Sequence, residues 1–392
     1  MPRLLDDATP EVRRAVPLLT AVRLSANTLY RFTPPFLTTI ARGLGVSLDQ
    51  MGVALSVSEL AGLGTPVAGR AIDRSSRRVA MVMGLTLMGG AATLAALAPN
   101  VVVFAIALSA IALGKPTYDA AMGAWLADRV DYASRGRVVG LTETSWAGAL
   151  LVGVPLLALV TGSVGYTWAF AALAATNGLA SLAVWHMLPP DPPTGAPGSV
   201  GRLDRLRPTL PAYVALGLLA SGSQFVFVVF GTWLEDSYGF SAAGIGVVSL
   251  IVGAIELAGS MGSMRFTDRI GKRRSVALGA LVLVPTAIGL AVGDVPLAVG
   301  VALLALFFLG FEFAIVSAIP IIGELHPEAR ASSIGLAVAF MTVGRAAAAL
   351  AATRLYTAHG MGGAALPAGA CGAATAALMW WAVATPGRPV PD

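Results

Sequence analysis

Residues 69–78 read Gly-Arg-Ala-Ile-Asp-Arg-Ser-Ser-Arg-Arg, and 195 residues after Asp73 the pattern returns as residues 268–274, Asp-Arg-Ile-Gly-Lys-Arg-Arg. Both copies stand between long apolar runs, so an acid followed by clustered bases punctuates the chain twice at matching places. Other features repeat at nearly the same interval. Glu59 opens an ELAG tetrapeptide that recurs at Glu256, and Gly114 followed by Asp128 is echoed by Gly310 followed by Glu324 at the same spacing. Gly140 and Gly335 each lie five residues past an arginine, Arg135 and Arg330. An internal duplication of half the chain is the economical explanation.

Only 12% of the 392 residues are charged, against about 25% in an ordinary soluble protein, and 56% are hydrophobic. That deficit excludes a soluble globular enzyme. The mean hydropathy is +0.77, and 45 glycines and 24 prolines break the apolar sequence into lengths suited to membrane helices. Runs fall at about 16–41, 48–69, 78–98, 101–127, 138–161, 165–188, 210–234, 242–264, 275–293, 296–323, 332–357 and 361–385. Twelve such spans leave no space for a sizeable domain outside the bilayer.

The net charge of +5 could suggest nucleic acid, but all but two of the 26 basic residues are arginines and most sit between apolar runs. They collect at alternate junctions: Arg13 and Arg14, Arg70 to Arg78, Arg129 to Arg137, Arg202 to Arg207, Arg265 to Arg274, then Arg330 and Arg388, with little beyond Arg42 at the others. By the positive-inside rule, both termini are expected in the cytoplasm of a multi-pass inner (plasma) membrane protein. The polar start lacks a small-residue cleavage site, which predicts an uncleaved first span. Cys371 is a lone cysteine, so no intramolecular disulfide forms. The one long polar stretch, PPDPPTGAPGSVGRLDRLRP at 189–208, falls between the sixth and seventh runs. It reads as a cytoplasmic linker (189–209) between an N-terminal six-helix bundle (1–188) and a C-terminal one (210–392). Such repeated halves are a mark of secondary transporters.

The stretch from Gly69 to Arg78 resembles the signature loop of the major facilitator superfamily, Gly-x-x-x-Asp-Arg-x-Gly-Arg-Arg, with Ser76 at the inner glycine. The copy from Asp268 to Arg274 resembles that family's degenerate second loop, with Met264 at the leading glycine. The resemblance covers the whole chain. It implies an all-α membrane protein of twelve transmembrane helices in two pseudo-symmetric six-helix bundles, a monomer that works by alternating access. Among members, the bacterial drug:proton antiporters look most similar. The resemblance further implies a small-molecule substrate, protons as the coupled ion, no cofactor and no enzymatic activity. Two features depart from the pattern: Ala110 stands where many proton-coupled members carry a fourth-span arginine, and the fifth-span antiporter glycines survive only as Gly148, Gly153 and Pro155 with an extra residue between.

Ionisable residues inside apolar runs are the candidate site, because each costs a few kcal/mol at mid-bilayer and needs a partner or a wet cavity. They are Arg31, Glu59, Lys115, Asp119, Glu143, Glu256, Glu312 and Arg345. Spans three, six, nine and twelve contain none, and in the family fold those four are the outer helices. Lys115 and Asp119 share a face four residues apart, either as a self-satisfied pair or as part of a site that Pro116 loosens. Glu312, two positions past Gly310, is the first choice for proton coupling and Asp119 the second, since a carboxyl group in low dielectric can take up and release a proton. Arg31 keeps its charge and must face a carboxylate, Glu59 or Glu256, or an anionic substrate group. Arg345 carries the same ambiguity, and Glu143 is either a gate charge or structural. Asp73 and Asp268, with Arg74, Arg77, Arg78, Arg269 and Arg273, are expected to latch one half to the other, a carboxylate near a helix N-terminus gaining about 0.3–1 kcal/mol.

Other chemistry is weakly signalled. Leu113 to Thr117 looks superficially like a phosphate-binding loop, but Ser109 replaces the upstream glycine and the segment lies in a span. His186, His326 and His359 are scattered without metal-ligand spacing. The sequence therefore predicts a secondary transporter, with proton-coupled efflux of drug-like or amphipathic compounds as the main reading. Uptake by symport or facilitation is the alternative, and a non-transporting receptor or membrane enzyme a remote one.

Overall fold

The computed structural model describes residues 9–64, 76–190, 206–293, 295–326 and 329–382, and all regular structure among them is helical. Asp73, Arg74 and residues 191–205 of the expected linker lie outside the described residues. Nine helices among the described residues are long and apolar enough to cross a membrane, the last of them, Ser332–Trp381, carrying two of the apolar runs. The chain divides into two compact units.

Unit one contains Met1–Val46, Leu60–Gly198 and Ser241–Gly253. Its first run is α1 (Pro10–Phe32), a 3-10 turn at Pro34–Phe36 and α2 (Leu37–Leu44). The Thr9 hydroxyl accepts from the Val12 amide at 3.3 Å and Pro10 opens the helix, a side-chain cap followed by a residue with no amide to lose. Then follow α4 (Arg77–Ala96), α5 (Val101–Arg129), α6 (Tyr132–Gly148), a π-helical turn at Ala149–Gly153, α7 (Val154–Val164) and α8 (Tyr166–Met187). Ser76, the departure from the signature loop, has a local purpose: its hydroxyl accepts from the Val79 amide at 3.2 Å and starts α4. Asn100 likewise caps α5 by accepting from Val102 and Val103.

Unit two contains Ser47–Glu59, Ser199–Phe240 and Ala254–Asp392. Its elements are α3 (Leu48–Ala61), α9 (Leu206–Tyr238), the later part of α10 (Ala242–Ile270), α11 (Lys272–Ala291), α12 (Leu297–Leu325) and α13 (Arg330–Ala377). At Gly271, the repeat position of Ser76, the chain turns from α10 into α11 with φ +93°, so a left-handed glycine replaces the side-chain cap. The eleventh and twelfth runs form one helical path bent at Gly360, φ +63°. Exposed large apolar side chains occur on spans three, six, nine and twelve as the outer-helix expectation requires, yet also on most others; α1 carries none and α9 only Leu210.

The duplication is visible at two close helix crossings. α4 meets α5 where Gly84 faces Gly114, and α11 meets α12 where Gly279 faces Gly310. A Cβ on Gly84 would lie 2.9 Å from the Gly114 carbonyl oxygen, and one on Gly279 would lie 2.7 Å from the Gly310 carbonyl oxygen. Without water to drive association, membrane helices depend on such close backbone approach for dispersion contact. Gly84→Ala and Gly279→Ala should each destabilise the protein by about 1–3 kcal/mol through overpacking. Gly90→Ala should not, since nothing lies within 4 Å of its added Cβ. Thermal midpoints in detergent are the measurement, and equal midpoints for Gly84→Ala and Gly90→Ala would refute the close-contact account.

Candidate functional site

In unit one, α1 presents Arg23, Asn27 and Arg31 at four-residue spacing, and all three are buried. Arg23 is the hub. Its Nε lies 3.1 Å from Asp119 Oδ1 on α5 and its Nη1 lies 2.6 Å from Glu143 Oε1 on α6. Lys115 closes on the second oxygen of Asp119, as their spacing along α5 predicts. Two bases and two acids from three helices thus form one neutral cluster. Burial strips water from Arg23 and Lys115, so the two cations are held by direct contact with the carboxylates. Sequence reasoning missed Arg23, reading the start of the first run for its apolar content. The signal was the repeat Arg23, Asn27, Arg31, one long polar side chain per turn on a single face of α1.

Asn27 Nδ2 donates to Ser145 Oγ at 3.1 Å, and Arg31 Nη1 donates to the Trp146 carbonyl at 3.2 Å while its guanidinium lies 4.5 Å from the Trp146 ring centre. α1 and α6 approach this closely because of the damaged fifth-span pattern. A Cβ on Gly153 would collide with Thr28, and one on Gly148 would lie 3.0 Å from Leu24, one turn away on the same face of α1. The extra residue between the two glycines is taken up by the π-helical turn Ala149–Gly153, where i→i+5 bonding fits one more residue per turn. Both glycines therefore still face α1. Tyr118 is fully buried and donates to the Leu19 carbonyl at 3.2 Å, which makes it a packing residue between α5 and α1.

In unit two, Glu312 on α12 is buried and accepts from Ser260 Oγ on α10 at 2.7 Å. Gly259 makes room for it, since a Cβ there would lie 3.0 Å from the Glu312 Cβ. Glu59 on α3 pairs with Arg345 on α13 at 3.0 Å, so one of the two carboxylates expected for Arg31 already has a cation in its own unit. Glu256, one turn before Ser260, is 1% exposed.

Four described bases of the two signature loops have partners within their own units. Arg77 Nε lies 3.6 Å from Asp128 on α5, and Lys272 pairs with Glu324 on α12. Arg78 donates to the carbonyls of Trp185 and Leu188 at 3.4 and 3.0 Å, and Arg273 donates to those of Met379 and Trp380. The repeat therefore matches Arg77 to Lys272 and Arg78 to Arg273, one position off the Arg77 and Arg273 equivalence that the paired arginines suggest. Arg78 and Arg273 satisfy carbonyls that a helix C-terminus leaves without intrahelical partners, where cations are also favoured by the helix dipole. Asp268 and Arg269 are exposed at the end of α10.

The family model for the Major Facilitator Superfamily matches residues 19–349. The chain belongs to the Major Facilitator Superfamily. Its fold resembles the D-xylose–proton symporter with a TM-score of 0.76 at 17% identity, over 95% of this chain and 98% of that one. It also resembles a bacterial homolog of the human lysosomal transporter Spinster in an inward-facing, unoccupied conformation, TM-score 0.72 at 14% identity over 96% and 95%. Among curated relatives, the uncharacterized MFS-type transporter YwfA of Bacillus subtilis is 28% identical over 264 residues, 63% of this chain and 63% of its own length. The transcription regulatory protein OpdE of Pseudomonas aeruginosa is 29% identical over 319 residues, 77% of each. The superfamily is one of membrane transporters and not an enzyme class.

Arg23 and Glu143 should differ sharply as mutation targets. Arg23→Met leaves Asp119 and Glu143 without their shared buried cation and should cost about 3 kcal/mol or more. Glu143→Gln should cost less than about 1 kcal/mol, because the Glu143 side chain is 53% exposed. Denaturation midpoints of the purified variants test this, and equal losses would remove Arg23 from the centre of the cluster.

Proposed function

We propose that this member of the superfamily is a proton-coupled secondary transporter that exports small drug-like or amphipathic molecules by alternating access. The positive-inside distribution of its arginines supports an inner-membrane orientation with both termini in the cytoplasm. The observation that carries proton coupling is Glu312: a buried carboxyl group in a membrane helix with the Ser260 hydroxyl, which can either donate or accept, among its partners. Such a partner stays bonded whether the carboxyl is charged or protonated. Asp119 has a different environment, with both oxygens on cations, and suits a role in holding Arg23 and Lys115 in place. The preserved glycine face of the fifth span supports antiport over symport, since it retains the family's antiporter glycines with their extra residue absorbed.

A second reading is a non-transporting membrane receptor, favoured by the 29% identity to the protein named transcription regulatory protein OpdE. Flux in proteoliposomes separates the two, with the fluorescent cation ethidium as first probe followed by neutral and anionic dyes. An inward-directed proton gradient across right-side-out vesicles should accelerate ethidium extrusion, and Glu312→Gln should remove that acceleration while leaving downhill movement. Movement indifferent to the gradient in the wild-type protein would remove proton coupling. No movement of any dye would favour the receptor.

A further inference from the structure

Hydroxyl groups inside these helices mostly follow one habit, donating to the carbonyl four residues earlier on their own helix. Thr20, Thr28, Ser109, Thr117, Ser249, Thr286 and Thr375 all do so. Three residues of unit two depart from it as a group, as Ser260 does singly on Glu312. Ser263 and Thr267 on α10 and Ser317 on α12 bond to one another, at 3.0 Å for Ser263 to Thr267, 2.9 Å for Ser263 to Ser317 and 2.7 Å for Thr267 to Ser317. All three are buried, Ser317 completely. Every oxygen in this ring can donate or accept, so its hydrogen-bond direction can reverse without moving a heavy atom.

The ring has a direction in the fold. Ser260, bonded to Glu312, lies three residues before Ser263 on α10, about 4.5 Å along the helix axis. Thr267 lies one turn beyond Ser263 and next to Asp268, which is exposed near the end of α10. Four hydroxyls therefore descend α10 and α12 from a buried carboxyl group to an exposed one. The other charged groups on α10 and α12 are Glu256, one turn on the far side of Ser260, with Arg265, Arg269 and Glu324 at the Asp268 end; of the helices packed against α12, α11 carries Lys272, Arg273 and Arg274 at that same end, α13 carries Arg345 and Arg354, and α9 carries Arg207, Glu235 and Asp236. α11 contributes no charge between Arg274 and its far end.

We propose that Ser260, Ser263, Ser317 and Thr267 form a proton wire joining Glu312 to the face that carries Asp268. The proposal rests on the reading of Glu312 as the proton carrier. The Glu312 carboxyl gives its proton to Ser260 Oγ as the Ser260 proton passes to a water bridging the turn to Ser263. Each hydroxyl of the ring then accepts one proton while donating its own onward, from Ser263 through Ser317 to Thr267. Thr267 delivers a proton to Asp268 or to bulk water, Glu312 is left as a carboxylate, and no hydroxyl changes its net count. Rotation of the four hydroxyls resets the wire. Each of these hydroxyls could have used its own helix as those seven do, and instead the three bond across two helices.

Infrared spectroscopy of the full chain in lipid bilayers tests the wire without a transported solute. The carbonyl band of protonated Glu312 is assigned by its loss in Glu312→Gln, and its downshift after a switch to deuterated buffer times proton exchange at that carboxyl. Thr267→Val keeps the side-chain shape and removes one hydroxyl from the ring, and Ser317→Ala removes another. Each should slow the exchange by about tenfold or more, in keeping with the cost of losing a proton-transfer partner, while the pH at which the band titrates stays unchanged. Wild-type exchange rates in Thr267→Val, the isosteric variant, would overturn the wire while leaving Glu312 as a proton carrier. Absence of any Glu312-dependent band at every pH would overturn the carrier reading and the wire with it.

Discussion

A charge buried among apolar helices has to be matched where it lies, and in unit one the matching is done by Arg23. Its guanidinium can reach two carboxylates at once because it is planar and presents several donors. With Asp119 and Glu143 it ties α1 to α5 and α6, and Lys115 completes the neutralisation from the next turn of α5. The glycines of the fifth span and the π-helical turn between them exist in the same frame. They bring α6 against α1 closely enough for Arg23 to meet Glu143, and for Arg31 to stack on Trp146. Polar chemistry at this depth is thus inseparable from small residues at the helix crossings.

The two units repeat one another in interactions as well as in sequence. Gly84 against Gly114 recurs as Gly279 against Gly310, Arg77 with Asp128 recurs as Lys272 with Glu324, and the capping of a last helical turn by Arg78 recurs with Arg273. What repeats is the part that holds helices together. The buried polar groups have diverged: a four-member charge cluster in unit one, and in unit two a carboxyl group with a ladder of hydroxyls. Structural ion pairs and tight crossings tolerate little change, since each loss leaves an unmatched charge or an overpacked backbone. The mid-membrane groups of the two halves have been free to specialise. The family loop itself shows how a position can change residue and keep its use, with Ser76 starting α4 by a side-chain cap and Gly271 starting α11 by a left-handed turn.

Much of this was legible before any coordinates. Composition gave the membrane class, apolar runs gave the helices, and the echo of Asp73-Arg74 at Asp268-Arg269 gave the duplication and the family. The Lys115–Asp119 pair followed from helix periodicity alone, because residues four apart share a face whatever surrounds them. Arg23 was overlooked although it stands in an apolar run, and its spacing with Asn27 and Arg31 could have exposed it. Ser263, Thr267 and Ser317 offered no signal of that kind, since serine and threonine are common in membrane helices and usually bond to their own backbone.

The sequence by itself determined what is local or periodic: the spans, their internal repeat, the helix caps at Thr9 and Asn100, and ion pairs within one helix face. Only the tertiary structure decided which helices bring their polar faces together. Arg23 meets Asp119 from 96 residues away, Arg345 meets Glu59 from 286 away, and Ser263 meets Ser317 from 54 away. Those choices depend on where glycines let two backbones approach and on which charges burial forces to pair, and neither quantity exists until the helices pack.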